Sequence, residues 1–427
     1  MDTIFALATA QGRAGVAVIR VSGPQAFRVC GGLMSSLPDI RQAGLRKITD
    51  ANGAILDEAL VLTFAGPHSF TGEDVVELHV HGSPAIVAAV LRRLGETDAR
   101  MAEPGEFSRR ALENDRMDLT QVEALGDLIS AETEAQRIQA MRGYEGQLSH
   151  RIAQWRADLI RAAALIEATI DFADEDVPVD VTPEVTALIA GVETDAAQEL
   201  SGFAAAECVR NGFEVAIIGA PNAGKSTLLN AMARRDAAIT SERAGTTRDV
   251  IEVRMDLDGL PVTVLDTAGL REAVDDIEAE GISRAILRAQ NSDIRVFLLE
   301  ENEDLGLAPE AGDIVLRPKS DLRADQLGAI SGKTGAGVAE LMSELAHRLS
   351  RRAASAGLAT QERHRTAMSQ TLESLQVAKN HLENGPDFYD IAAEDLRVAT
   401  RALAALIGQV DVENLLDEIF ASFCLGK

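Results

Sequence analysis

Gly219-Ala220-Pro221-Asn222-Ala223-Gly224-Lys225-Ser226-Thr227 has the spacing G-x-x-x-x-G-K-S. Residues of these types at this spacing suit a polyphosphate. The glycines let backbone N–H groups curl around phosphate oxygens, the lysine sets a point charge against them, and the serine hydroxyl can ligate Mg²⁺. The flanks agree with that chemistry. The apolar run Glu214-Val215-Ala216-Ile217-Ile218 reads as a strand, and Leu228, Leu229 and Met232 follow at helical spacing. The loop therefore opens a helix, whose N-terminus adds partial positive charge at the phosphates.

Three further pieces follow in order. Gly245-Thr246-Thr247-Arg248-Asp249 has the makings of a switch loop in which Thr247 reaches Mg²⁺ and senses a γ-phosphate. Asp266-Thr267-Ala268-Gly269 ends an apolar strand, so Asp266 can hold the Mg²⁺ shell and the Gly269 N–H can touch the γ-phosphate. Pro318-Lys319-Ser320-Asp321 stands where a base-reading N-K-x-D loop belongs, and Ser331-Gly332-Lys333 stands where S-A-K belongs. Asp321 can accept from N1–H and N2–H₂ of guanine, a donor pair that adenine lacks. Pro318 replaces the usual asparagine, whose amide braces the loop and contacts the base, so guanine preference is expected with weakened affinity. The position after D-x-x-G is Leu270, which cannot orient a water molecule. Glu272, Asp275, Asp276, Glu278 and Glu280 lie nearby, and the residues alone leave them equivalent.

The 427 residues allow two to four domains. A net charge of −26 argues against nonspecific nucleic-acid binding through a broad basic surface. With aromatics at 4% and Trp155 alone of its kind, a base-stacking platform is not expected either. Cys30, Cys208 and Cys424 are far apart and form no CxxC pair. No apolar run is long enough to span a bilayer and the N-terminus does not read as a secretory signal, so a cytoplasmic protein is expected. His79 and His81 share one strand face, as two metal ligands could, but no third ligand accompanies them.

Around the phosphate loop, the pattern predicts a multidomain chain of α+β and α/β parts. Residues 1–118 mix strands such as Val16–Val21 and Asp74–Val80 with helical pieces. Residues 119–210 are helical, with Val122, Leu125, Leu128 and Ile129 and then Ile152, Trp155, Leu159, Ile160 and Ala163 as candidate core stripes. Residues 211–349 alternate strand and helix, with strands at Phe213–Gly219, Val262–Asp266 and Ile294–Leu299. Helical texture returns over 350–427, at Leu372, Leu375, Leu382, Leu396, Leu403, Leu406 and Ile407. The simplest arrangement is a Ras-like P-loop domain inserted into a discontinuous helical domain whose two halves pack together. The acidic stretch from Asp171 to Asp176 reads as a solvated helix end or loop.

Signals at both ends sharpen this reading. Asp2-Thr3-Ile4, Gly12-Arg13-Ala14-Gly15, Arg20-Val21-Ser22-Gly23, Phe70-Thr71-Gly72-Glu73-Asp74, His81-Gly82, Pro104-Gly105-Glu106-Phe107-Ser108 and Asn114-Asp115-Arg116-Met117-Asp118-Leu119 appear in order, and the chain ends Phe423-Cys424-Leu425-Gly426-Lys427. Over essentially its whole length the sequence resembles the MnmE (TrmE) family of tRNA-modification GTPases. The resemblance implies an N-terminal domain similar to tetrahydrofolate-binding domains, which forms a homodimer. It carries a folate site on Arg20, Glu77, Arg116 and Lys427 for 5-formyl- or methylene-tetrahydrofolate. The family commonly has lysine at the third of these positions, so Arg116 keeps the charge with a different geometry.

The resemblance also implies hydrolysis of GTP by G domains that dimerise around K⁺. Asn222 would supply a side-chain oxygen, while Ser241, Arg243 and Thr246 would supply mainly backbone oxygen. The water-orienting glutamate of the family falls on Glu278, with Lys225 and Thr247 completing the catalytic set. The GTP contacts are then Asn222, Ala223, Gly224, Lys225, Ser226, Thr227, Ser241, Glu242, Arg243, Ala244, Gly245, Thr246, Thr247, Asp266, Thr267, Ala268, Gly269, Lys319, Asp321, Ser331, Gly332 and Lys333. Partners implied are GTP and GDP, tRNA modified at C5 of the wobble uridine, and an FAD-containing MnmG-family protein in a heterotetramer, with no membrane. Cys424 is a possible thiol, better suited to packing or pocket lining. The alternative is an RNA- or ribosome-assembly switch GTPase without one-carbon chemistry.

Overall fold

The computed structural model describes residues 2–171, 180–235, 251–266, 287–300, 307–410, 416, 419–420, 423 and 426. Contacts divide the chain into two units, residues 1–126 with 404–427, and residues 127–403.

The first unit holds β1 (Ile4–Leu7), β2 (Val16–Ser22), α1 (Ala26–Gly31), β3 (Gly44–Thr49), β4 (Ile55–Phe64), β5 (Val75–His81), α2 (Pro84–Gly95), β6 (Arg100–Met101) and α3 (Glu106–Glu113). These strands form one sheet in the order β3-β4-β5-β2-β1-β6. Alternation decides its faces. Ala17, Ile19 and Val21 of β2 and Val76, Leu78 and Val80 of β5 are buried with Val29, Val90 and Leu94 of α1 and α2. The other face of the same strands carries Arg20, Glu77 and His79.

One side of this unit is tied by a buried ionic cluster. The guanidinium of Arg110, 4% exposed, donates to the Asp2 carbonyl at 2.7 Å and to Oε1 of Glu106 at 2.9 Å, and bridges to Glu73 Oε2 at 3.1 Å. Arg100 donates to Glu106 at 2.6 Å and to Asp2. Glu73 also accepts from Ser22 Oγ at 2.8 Å, and that hydroxyl lies 2.7 Å from Thr71 Oγ1. Burial by itself would raise the Glu106 pKa. The donors on Arg100, the Glu103 N–H and Arg110 outweigh it and hold the carboxyl below its ordinary range.

In the second unit, α4 (Leu119–Ser130), shared with the first, leads to α5 (Glu134–Tyr144), α6 (Gln147–Asp171) and α7 (Thr182–Asn211). Ile152, Trp155, Leu159, Ala162 and Ile166 form the buried stripe of α6, whereas Ile160 is 52% exposed. The expected stripe through Ile160 and Ala163 is therefore rotated by one position. Ile129 of α4 is also exposed. The chain continues through β7 (Phe213–Gly219), α8 (Lys225–Arg235), β8 (Ile251–Leu257), β9 (Leu260–Asp266), β10 (Ile294–Leu298), β11 (Ile314–Pro318), β12 (Ala329–Ile330), α9 (Val338–Ala353), α10 (Glu362–Glu383) and α11 (Tyr389–Leu406), the last shared with the first unit from Ala404 on.

The second sheet has the order β12-β11-β10-β7-β9-β8. Its pairs are parallel except for the hairpin of β8 and β9. The helices before and after this sheet pack on each other. Lys379 of α10 meets Glu193 of α7 at 2.7 Å, and the hydroxyls of Thr182 and Tyr389 are 2.9 Å apart. Among the described residues no helix is long and apolar enough to cross a membrane.

Arg110→Ala should cost the first unit about 3–5 kcal/mol, because Glu73 and Glu106 would keep their burial without their cation. Hydrogen exchange of strands 16–22 and 75–81 in the intact chain measures this. Because the Glu106 pKa is depressed on folding, its contribution is complete above the unfolded carboxylate pKa of about 4.3 and is lost as pH falls through the lower folded value. Protection of those strands should therefore fall on acidification through that window.

Candidate nucleotide-binding site

The phosphate loop begins where β7 ends. Three in-register parallel strands fix its surroundings, with Ile217 opposite Asp266 of β9 and Gly219 opposite Leu298 of β10. Asp266 is thereby held at the same sheet edge, 1% exposed. Its Oδ2 accepts from the Ser226 hydroxyl at 2.5 Å. Lys225 is 5% exposed, and its ammonium donates to the carbonyls of Gly219 and Ala220 at 2.6 and 2.9 Å. Asn222 turns the loop in the left-handed region with φ 62, which an asparagine tolerates better than most residues. The α8 backbone starts at once, Leu228 N–H donating to Gly224 O at 2.8 Å. A hydroxyl, a carboxylate and a helix N-terminus meeting in this way suit a triphosphate with a hard divalent cation.

The base-reading pieces stand at the ends of β11 and β12, where Pro318 pairs with Ile330. Ser331 Oγ donates to Asp321 Oδ1 at 2.6 Å. That hydrogen bond, aided by the charges of Lys333 and Lys319, holds the Asp321 carboxyl below its ordinary range and keeps it ionised. The sequence Ser331-Gly332-Lys333 departs from S-A-K for a visible reason. A Cβ on Gly332 would stand 2.5 Å from the Leu228 nitrogen and 2.6 Å from the Thr227 carbonyl carbon. The base loop and the phosphate-loop helix are thus in backbone contact, which only glycine permits.

On the first unit, Arg20 and Glu77 are cross-strand partners in β2 and β5, and Arg20 Nε donates to Glu77 Oε1 at 3.0 Å. Phe70 lies 4.7 Å from the Arg20 guanidinium. His79 Nε2, 3.5 Å from Glu77, is sheltered from water and has no hydrogen-bond partner among the described residues. Arg116 is exposed, its Cγ 3.2 Å from where a Cβ of Gly72 would stand, so it flanks the loop that bears Phe70. A Cβ on Gly426 would fall 2.1 Å from the Leu7 carbonyl oxygen, so the residue before Lys427 is pressed against β1.

His81 engages Asp57, Nδ1 to Oδ1 at 2.8 Å, and among the described residues no three His, Cys, Asp or Glu side chains are grouped to hold a metal. Cys30 is buried, which pushes its thiol up, and burial with the Asp293 charge raises Cys208 to about 11. Ser241, Glu242, Arg243, Ala244, Gly245, Thr246, Thr247, Thr267, Ala268, Gly269, Glu278, Cys424 and Lys427 lie outside the described residues. Sequence reasoning passed over Arg100, Glu106 and Arg110 as functional groups, although Glu73 and Glu106 stood in its motifs. Their shared structural role needed contacts between segments far apart in the chain.

Comparison with known proteins bears on both units. The profile described as the MnmE helical domain matches residues 119–424, and that of the GTP-binding protein TrmE N-terminus matches residues 3–116. Relatives named tRNA modification GTPase MnmE, from Roseobacter denitrificans, Ruegeria sp. strain TM1040 and Ruegeria pomeroyi, are 61%, 60% and 60% identical over 100% of both chains. Among solved structures, the cytosolic domain of the T. maritima FeoB iron transporter in a GDP form aligns at 18% identity with a TM-score of 0.23, over 48% of this chain and 98% of that one, too weak a likeness to bear on function. On its profile matches and full-length identities, the chain belongs to the MnmE (TrmE) family of tRNA modification GTPases.

Proposed function

We propose that this chain hydrolyses GTP with Mg²⁺ in a K⁺-dependent reaction of paired G domains. Together with an FAD-containing MnmG-family partner and 5-formyl- or methylene-tetrahydrofolate, it modifies C5 of the wobble uridine of certain tRNAs in the cytoplasm. One observation carries the nucleotide part. Ser226 meets Asp266 at 2.5 Å and Asp321 meets Ser331 at 2.6 Å, both pairs at the carboxyl ends of the parallel strands of one sheet. In open α/β sheets that edge is where ligands bind.

In this reading Lys225 would neutralise the β/γ-phosphate oxygens, and Ser226, whose hydroxyl Asp266 holds, would ligate Mg²⁺. Asp321 accepts from the guanine edge, and Gly332 lets the base loop close on α8. Asn222 would offer K⁺ its side-chain oxygen, and Ser241, Arg243 and Thr246 mainly backbone oxygen. Held by them, K⁺ would supply positive charge beside the phosphates, as an arginine finger does elsewhere. Glu278 orients the attacking water, a task that Leu270 cannot perform.

The folate part rests on the Arg20–Glu77 pair. A pterin carries donors suited to Glu77, and the unpartnered Nε2 of His79 beside that carboxylate gives the site spare hydrogen-bonding capacity. Arg20, Arg116 and Lys427 supply cations for the glutamate tail. The same sheet face carries Leu45 and Leu60, cross-strand partners that are 59% and 41% exposed. This pair of adjacent exposed leucines, set among polar side chains, supports a homodimer built on the N-terminal units.

Asp321→Asn should move preference from GTP toward xanthosine triphosphate, measured as the ratio of kcat/KM values; an unchanged ratio removes Asp321 from base recognition. Turnover should rise strongly in K⁺ over Na⁺, and Asn222→Lys should abolish that difference. Equal rates in the two ions contradict the potassium mechanism. In Glu278→Ala, nucleotide Kd should hold while kcat falls by about two orders of magnitude or more. Arg20→Ala should weaken 5-formyltetrahydrofolate binding at least about tenfold by calorimetry. A wild-type chain that binds no folate would favour an RNA-linked switch without one-carbon chemistry.

A further inference from the structure

Pro318 puts a residue without a side-chain donor or a backbone N–H where the base-reading loop ordinarily has an amide. The loop is closed all the same. Lys319 turns the chain through the left-handed region at φ 58 and ψ 48. Leu322 N–H then donates to Lys319 O at 3.0 Å, and Arg323 N–H to Ser320 O at 3.2 Å. Past this turn the Arg323 side chain doubles back. Its Nε–H donates to the Pro318 carbonyl at 2.8 Å, and an η nitrogen meets the carboxylate of Glu300 beyond the end of β10. The guanidinium is 23% exposed and joins the first residue of the loop to the chain that leaves the neighbouring strand.

We propose that Arg323 is a positioning residue for guanine recognition, making from the far end of the loop the tie that residue 318 cannot make. The proposal rests on the reading of Asp321 as the base-recognising carboxylate. Asp321 lies between the two ends that Arg323 joins, and Ser331 holds its Oδ1 at 2.6 Å. Losing the tie frees the 318–323 turn to shift, which misaligns Asp321 with the two guanine donors it must meet together. A guanidinium suits the task because its planar fork serves a carbonyl and a carboxylate at once, whereas a lysine brings a single point charge. Arg317 ties a different segment, donating to Asp325 Oδ2 at 2.8 Å and to the Leu327 carbonyl. It leaves Pro318 O to Arg323. Among the described residues no hydrogen bond or ion pair of Arg323 reaches the phosphate loop, so its effect belongs to base affinity and base choice.

The test compares the full-length wild-type chain with Arg323→Ala, Arg323→Lys, Pro318→Asn and the double variant Arg323→Ala/Pro318→Asn. GDP affinity is read by calorimetry, and kcat and KM with GTP and with inosine triphosphate, which lacks the 2-amino group. Arg323→Ala should raise the GDP Kd and the KM for GTP about tenfold, the scale of one lost charge-assisted hydrogen bond, with a much smaller change in kcat. The preference for GTP over inosine triphosphate should shrink. Arg323→Lys should recover only part of the loss, and Pro318→Asn in the Arg323→Ala background should return Kd toward the wild-type value by restoring the amide. A Kd within twofold of wild type in Arg323→Ala overturns the proposal. So does a loss that Pro318→Asn fails to repair, or one that leaves base preference intact, since either marks a role in folding alone. Asp321→Asn separates the two layers. If it moves preference to xanthosine triphosphate while Arg323→Ala is neutral, only the brace is wrong; if it does not, the reading of Asp321 itself fails.

Discussion

The parallel pairing of β7 with β9 on one side and β10 on the other is the constraint on which the nucleotide site depends. Val215 and Ile217 of β7, Val264 of β9 and Val296 of β10 are wholly buried on one face, and Ala216 of β7 and Phe297 of β10 on the other, so both faces of these strands are committed to the core. A one-residue slip would turn each side chain to the wrong face. The amino end is locked as well: Asp293 N–H donates to Glu214 O at 2.9 Å, and Glu214 N–H to Asp293 Oδ2 at 2.8 Å. With register held at both ends, the loops leaving the carboxyl edge have little freedom in where they begin. Asp266, at the end of β9, then meets Ser226, in the first turn of α8, because β9 and the loop leaving β7 start from adjacent points on one edge.

The inserted sheet is also clamped where the chain enters and leaves it. Gly212, with φ 98, is the one residue between α7 and β7. On the return path, Gly357 N–H donates to Gly202 O at 3.2 Å, and Leu358 N–H to Glu199 Oε2 at 2.7 Å. Both connections therefore rest on α7. The first turn of α5 adds a third support. Ala135 N–H donates to the carbonyl of Gly259 at the tip of the β8–β9 hairpin, at 3.0 Å, and Gln136 donates to Arg210 O, also at 3.0 Å. The strand that ends in Asp266 thus begins at a turn held by a helix. A displacement at one end of this hairpin has a direct mechanical route to α5.

In the first unit the motifs around Glu73, Glu106 and Arg110 have a structural explanation. Arg110 is a buried cation whose fork is filled by the Asp2 carbonyl and by the carboxylates of Glu73, Glu106 and Asp2. Such a cluster is stabilising only when it is complete, since Glu73 or Glu106 left without the cation is a largely buried charge. It fixes the loop containing Thr71 and Gly72, and with it Phe70, which lies against Arg20. The proposed folate pair is in this sense positioned from its other side.

The local chemistry was readable from the sequence. The phosphate loop, the strand before it and the helix after it are consecutive residues, so spacing alone defines them. The strands at Val16–Ser22, Val75–His81 and Phe213–Gly219 follow from alternation or from short apolar runs. Asp321 could be singled out because its place in the order of loops narrowed its role. Tertiary structure decided what depends on residues distant in the chain. Arg110 finds partners 37 and 108 positions away, which no local pattern encodes. The rotation of the α6 stripe from Ile160 to Ala162 depends on which helices pack on it, because a helix with apolar residues on several sides has more than one possible inner face. Likewise, Pro318 read as a deficit in sequence. The backbone carbonyl it retains, and the arginine five residues on that reaches it, became a pair only when the turn between them closed.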